Sequence, residues 1–227
     1  MEGLQAVLPE LPLPDITTHK PEIFSAANTD DQHRLKNLVV EHTPVFHNEL
    51  EGQIKELFKI RRPQEKLSDN DLDQLLENWK SENDISTYGN YVYYPWSNKL
   101  VRLLGEQEFI ELRTSRNKYK ITEHEQEELQ SKTIGIVGLS VGQSVALTIA
   151  TERIAGTIRL ADFDILELSN LNRIRTGVHN LGQAKVITVA REISEIDPYI
   201  KLEIFEDGLT TDNTSAFLNG PTGKIDL

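Results

Sequence analysis

Apolar and polar positions along this 227-residue chain change period partway along, and the change divides it. Residues 1–22 form a proline-punctuated stretch with no regular period. From Thr29 to Ile60, Phe46, Leu50, Ile54, Leu57 and Phe58 recur at helical spacing, which predicts a mainly helical segment broken at Pro44. Asp69 to Ser81 predicts another helix, with Leu72, Leu75, Leu76 and Trp79 on one face and Ser68 and Asp69 as caps. The run YVYYPWSNKLVRLLGEQEFIELRTSR is rich in aromatic and branched residues. It predicts two or three antiparallel strands, with a hairpin turning near Gly105-Glu106-Gln107.

After a charged helical connector (ITEHEQEELQSK) the pattern alternates strand and helix. Thr133–Val137 is a short apolar run, Gly138 to Gly142 a turn, and Val145 to Ile154 a helix ended by a left-handed Gly156. Thr157–Ala161 and Ile200–Phe205 are further strands around a helix at Ala184–Ile196. Strand–helix–strand with short connections implies parallel neighbours and right-handed crossovers. The expected fold class is α/β. Residues 111–227 should form an incomplete doubly wound, mostly parallel, Rossmann-like sheet, and residues 1–110 a small α+β unit.

Composition narrows the chemistry. There is no cysteine, which removes disulfides, thiolate nucleophiles, iron–sulfur clusters and cysteine-based zinc sites. Six scattered histidines without a ligand spacing argue against a dedicated transition-metal site, and no metal-ligating residue is singled out. The formal charge is −12, and residues 1–130 carry most of it, with 15 basic and 24 acidic side chains. Such a balance argues against long nucleic acid as a partner, yet it permits a small phosphorylated ligand. No apolar stretch has the roughly 18–20 residues of a membrane span, and the N-terminus lacks a secretory pattern. A soluble, cytoplasmic protein is the expectation.

The turn Gly138-Leu139-Ser140-Val141-Gly142 joins a strand to a helix, so backbone donors and the helix dipole face whatever lies above the sheet. It also fits G-x-S-x-G, the elbow of α/β-hydrolases, with Ser140 as nucleophile. Ser140 and Gln143 stand where G-x-G-x-x-G has its second and third glycines. The hydrolase reading needs an acid and then a histidine downstream, and the last histidine is His179, ahead of the third strand. Asp162 instead sits at the end of the next strand, where an acid meets ribose hydroxyls; Asp164 reads as a solvated neighbour. The following segment carries Asn170, Arg173 and Lys185, a set suited to phosphate oxygens, with Arg175 sharing that work or solvated.

IGIVGLSVG, LADFDILELSNLNR, GQAKV and EIDPYIKLEIF together resemble the front half of the ThiF/MoeB adenylyltransferases, relatives of the ubiquitin-activating enzymes. The resemblance implies ATP and Mg2+, and transfer of AMP to a carboxylate: the C-terminus of a ubiquitin-like or sulfur-carrier protein, or a small acid. It implies that Asp162 holds the ribose and that Asn170, Arg173 and Lys185 face the phosphates, the last two as catalytic groups. Gly138, Ser140, Val141 and Gly142 would line the nucleotide. Arg116, in Arg113-Thr114-Ser115-Arg116, would reach a partner subunit's ATP in a homodimer.

The resemblance also implies features that these residues lack. The sequence stops at Gly223-Lys224-Ile225-Asp226-Leu227, which reads as the opening of a fourth parallel strand. The family's magnesium-binding aspartate would follow it, so the chain reads as a fragment whose activity belongs to a longer parent. A non-catalytic ThiF-like partner subunit and an NAD(P)-dependent oxidoreductase are the alternatives.

Overall fold

A computed structural model describes residues 15–227; the first part of the proline-rich stretch lies outside the described residues. The first sheet has the order β1 (Glu22–Ser25), β3 (Asn90–Tyr94), β4 (Lys99–Leu103), β2 (Val45–Asn48). Helix α1 (Thr29–His42) packs on it through Leu38, against Phe24, Tyr93 and Leu100. Helices α2 (Leu50–Arg61), α3 (Asp69–Glu82) and α4 (Glu106–Thr114) share a separate cluster built on Leu50, Ile54, Leu57, Leu72, Leu76 and Leu104. Ser68 caps α3 through a capping box with Asp71.

Two expectations fail in this half, each for a local reason. Phe46 does not extend a helical face. Thr43 takes a left-handed conformation (φ 42°) ahead of Pro44, α1 ends, and Val45–Asn48 pairs in parallel with β4. The helical spacing from Phe46 to Leu50 is a coincidence between a strand and the helix after it. Nor does the hairpin turn at Gly105. The β3–β4 turn is Pro95–Ser97 with Asn98 left-handed (φ 48°), whose side chain ties Tyr93 Oη to the His42 carbonyl. Gly105 begins α4 instead, with Glu106 and Glu108 in the first turn, where the helix dipole favours acids. Phe109 and Leu112 of α4 pack on the α2–α3 cluster, across the expected division at residue 110.

The second sheet is fully parallel, in the order β5 (Thr133–Val137), β6 (Thr157–Ala161), β7 (Lys201–Phe205). Helix α5 (Glu123–Gln130) leads into it, and α6 (Leu139–Glu152) and α7 (Lys185–Ile196) make the two crossovers. Both pack on one face, where Ile158, Leu160, Ala146, Ala150, Val186, Ala190 and Ile193 are wholly or almost wholly buried. Each large aliphatic side chain there contributes about 1.5–3 kcal/mol by leaving water. On the opposite face Arg159 is fully buried and ion-pairs with Glu203. It also donates to the carbonyls of Phe217, in α8 (Thr214–Asn219), and Gly223. This is the expected α/β, mostly parallel Rossmann-like layout.

Boundaries shift at three places. α6 starts at Leu139, so Ser140 to Gly142 belong to the helix rather than to a turn before it. Its left-handed cap is Arg153 (φ 52°), not Gly156. Gly156 is required for a different reason: a Cβ there would lie 1.9 Å from the Gln130 carbonyl oxygen. Residues 223–227 are not assigned as a strand, although Asp226 N–H donates to Thr133 O, and Gly135 N–H donates to Leu227 O, along β5.

The two sheets meet at a polar seam. Tyr94 Oη donates to Ser194 O, Tyr199 Oη donates to Leu104 O, and Trp96 Nε1 donates to Glu195. Asp197, fully buried, pairs with Arg153 at 2.9 Å and with Arg113 of α4 at 3.7 Å.

Candidate functional site

In an open parallel sheet, ligands bind beyond the carboxyl ends of the strands. Here that edge holds a crevice of about 410 Å³ lined by Gly138, Ser140, Val141, Asp162, Asp164 and Leu209, among others. A larger groove of about 620 Å³ lies between α1 and the first sheet, but its lining is largely apolar, with Lys36 as the single charge. Gly138, Ser140, Val141 and Asp162, singled out in the sequence, lie at the sheet end.

Gly138 supplies the reversal from β5 into α6. Its φ is +83°, a conformation that glycine adopts without strain, and a Cβ there would meet nothing within 4 Å. The first N–H groups of an α-helix have no intrahelical partner. Of those in α6, Leu139 N–H is taken by Asp162 Oδ2 at 2.6 Å, while Ser140 and Val141 line the crevice. Gly142 faces inward, and a Cβ on it would lie 2.8 Å from Ile136 Cγ2. It serves the packing of helix on strand rather than the crevice lining.

Asp162 is 6% exposed, and its second oxygen accepts the Asp164 N–H at 2.8 Å. Its carboxylate thus braces the ends of β5 and β6. Asp164, two residues on and exposed, is the acid that meets Lys185: Nζ to Oδ2 is 2.6 Å. Lys185 is buried at the start of α7, and its ammonium also donates to Ser140 Oγ at 3.3 Å. A buried cation is tolerated only when paired and hydrogen-bonded, and Asp164 and Ser140 meet that need. The Ser140 hydroxyl accepts from this ammonium and, among the described residues, donates to no histidine or carboxylate that would activate it as a nucleophile.

Of the four polar groups expected to converge, Asp162 and Lys185 are thus brought together, through Asp164 and Ser140. Lys185 itself does not line the crevice but touches two residues that do, Ser140 and Asp164, whereas Asn170 and Arg173 neither line it nor meet a residue that does. Asn170 is buried at the 3-10 turn Leu168–Asn172, accepting from Glu167 N–H. Arg173 is exposed one residue beyond, donating to Asn172 Oδ1 at 2.9 Å. Arg116 is exposed on the 3-10 turn Ser115–Tyr119, and Arg113 is committed to the seam. Asp164, read from the sequence as a solvated neighbour of Asp162, is the acid that the structure pairs with Lys185.

Residues 114–227 match the profile of the ThiF family. The chain belongs to the ThiF family. Over 130 residues it is 44% identical to the uncharacterized protein MT1398 of Mycobacterium tuberculosis, a stretch covering 57% of this chain and 18% of that protein. Over 98 residues it is 36% identical to ubiquitin-like modifier-activating enzyme 5 of Drosophila persimilis, covering 43% of this chain and 26% of that protein. The chain therefore spans about a quarter or less of these relatives' length. Among solved structures, E. coli tRNA N6-threonylcarbamoyladenosine dehydratase, TcdA, is similar at 28% identity and a TM-score of 0.45, covering 47% of this chain and 45% of that one. Among the described residues of this ThiF chain, no helix is long and apolar enough to cross a membrane.

Proposed function

We propose that this ThiF chain carries the nucleotide end of an ATP-dependent adenylyltransferase that activates a carboxylate as its acyl adenylate. The observation that carries the reading is Lys185, a buried cation held between Ser140 and Asp164 beneath the amino end of α6. A helix amino end and an ammonium both favour an anion, and together they suit a polyphosphate. Family membership supports the same ligand.

In the proposed reaction a carboxylate oxygen attacks the α-phosphorus of ATP. A new O–P bond forms as the bond to the β-phosphate oxygen breaks, and pyrophosphate leaves. The protein positions the groups and neutralises developing charge. Lys185 serves the leaving pyrophosphate, Arg173 would have to reach it from its exposed loop outside the crevice, Ser140 and Val141 offer backbone N–H groups, and Asp164 and Asp162 lie on the side where ribose hydroxyls would sit. The described residues contain no group of three or more candidate metal ligands, and the exposed carboxylate of the crevice is paired to Lys185. A magnesium ion brought with the nucleotide would take most of its ligands from phosphate and water. No step is assigned to the metal.

The relative's name supports a ubiquitin-like modifier as acyl substrate, with a sulfur-carrier protein or small acid as the other members of that class. Exposed Arg116 fits a role across a homodimer. The test is ATP–pyrophosphate exchange by the whole protein, supplied with candidate carboxylates, beside direct titration with ATP and NAD. ATP binding with carboxylate-dependent exchange is expected. Binding of NAD in preference to ATP would overturn the reading in favour of an oxidoreductase.

A further inference from the structure

The third glycine of G-x-G-x-x-G exists to let the helix pack closely on the strand. In this chain that position is Gln143, and the close approach is made one residue earlier, by Gly142 against Ile136. Position 143 is thereby free to carry a side chain. One residue further round α6, about 100° of helix rotation, turns that side chain away from β5.

Gln143 is 1% exposed, and its amide is fully used. Nε2 donates to Glu192 Oε2 of α7 at 2.7 Å and to the Arg175 carbonyl at 3.2 Å. Oε1 accepts the Arg175 N–H at 3.0 Å. A buried side chain therefore satisfies both backbone groups of a loop residue, as a neighbouring strand would. Glu192 fixes which way the amide faces, since an ionised carboxylate only accepts. Next to Arg175, Ile174 is 4% exposed and anchors the loop in the core, while Arg173 and Arg175 on either side are exposed. The clamp sits one helical turn beyond Ser140, which lines the crevice.

We propose that Gln143 is a positioning residue: by gripping the backbone of Arg175 it fixes the loop from which the guanidinium groups of Arg173 and Arg175, exposed and clear of the crevice lining in this structure, would reach the phosphates of a bound nucleotide. This rests on the adenylyltransferase reading and adds to it a loop clamp at a glycine position of the nucleotide turn. Gln143→Glu keeps the size but loses the donor and sets two carboxylates against each other. The exchanged pair Gln143→Glu with Glu192→Gln restores one donor between the helices, so it tests rescue.

Amide hydrogen exchange at Arg175 in the whole protein reads the clamp directly, and titrations with ATP and with adenosine read its consequence. In Gln143→Leu, which removes donor and acceptor together, Arg175 N–H protection should fall by about tenfold or more; in Gln143→Glu, which can still accept that N–H, ATP affinity should fall by about tenfold, with adenosine affinity unchanged and partial recovery in the exchanged pair. Unchanged Arg175 protection, or an equal loss of adenosine and ATP affinity, would overturn the proposal. A wild-type protein that binds no ATP would instead sink the nucleotide reading. The clamp would then stand or fall on the exchange of Arg175 alone.

Discussion

Lys185 and Asp164 are joined twice: Nζ lies 2.6 Å from Oδ2, and the Lys185 N–H donates to the Asp164 carbonyl at 2.9 Å. The backbone bond stitches the start of α7 to the segment after β6, and the ion pair ties the ammonium to Asp164, which lines the crevice. Because these two functions are separable, Lys185→Ala should leave the fold in place while removing the cation. We expect ATP–pyrophosphate exchange to fall by about 10²–10³-fold, the usual effect of deleting one preorganised charge-stabilising group. Circular dichroism should show an unchanged spectrum. Exchange at the wild-type rate would exclude Lys185 from the mechanism.

Arg159 organises the other face of the sheet. It is fully buried, ion-paired with Glu203, and bonded to Phe217 O, Thr222 Oγ1 and Gly223 O at 2.7–2.9 Å. Arg159→Ala leaves a largely buried carboxylate and three polar atoms without their partner. A loss of about 3–5 kcal/mol is expected in chemical denaturation. Arg159→Met combined with Glu203→Gln should lose less, because no uncompensated charge remains. Equal losses would show that the packing of α8, not the charge, decides the stability.

Two glycines that look alike in the sequence should respond differently to alanine. Gly156 approaches the Gln130 carbonyl so closely that a Cβ would lie 1.9 Å away, and backbone must move. Gly105 has φ −60° and nothing within 4 Å of a Cβ. Gly156→Ala should therefore cost at least the roughly 1–3 kcal/mol of an overpacked site, and Gly105→Ala should be close to neutral. Thermal unfolding of the two variants checks the order.

The same pair shows how much of the fold could be read in advance. Both glycines were visible as punctuation, but their meaning was set by what lies across from them: a carbonyl for Gly156, open space for Gly105. Strands β5 to β7 and helix α7 were legible because each is a short apolar run or a strong helical period bounded by Gly or Pro. Phe46 misled because a four-residue edge strand beside a helix carries too few positions to fix a period. At the site, Asp162 and Lys185 were marked by their places at a strand end and a helix start. The roles of Asp164 and Gln143 come from partners 21 and 32 residues away, which no local pattern encodes.

Glu192 links the clamp to pH. Burial holds its carboxyl above the ordinary 4.5, hydrogen bonds from Gln143 and Thr176 pull the other way, and Glu195 adds to the rise. A raised carboxyl value means that the folded chain binds the proton more tightly than the unfolded one. The favourable contribution is therefore complete below about 4.5 and is lost as pH rises through the folded value. Once ionised, the group is a burden on the fold. Glu192→Gln stays neutral and keeps an oxygen for Gln143 Nε2, so it should unfold at a higher temperature than wild type at pH 7. The difference should shrink as pH falls towards 4.5, and other carboxylates cancel in the comparison. A wild type more stable than the variant at pH 7 would mean that the charged hydrogen bond to Gln143 outweighs the cost of burying the charge.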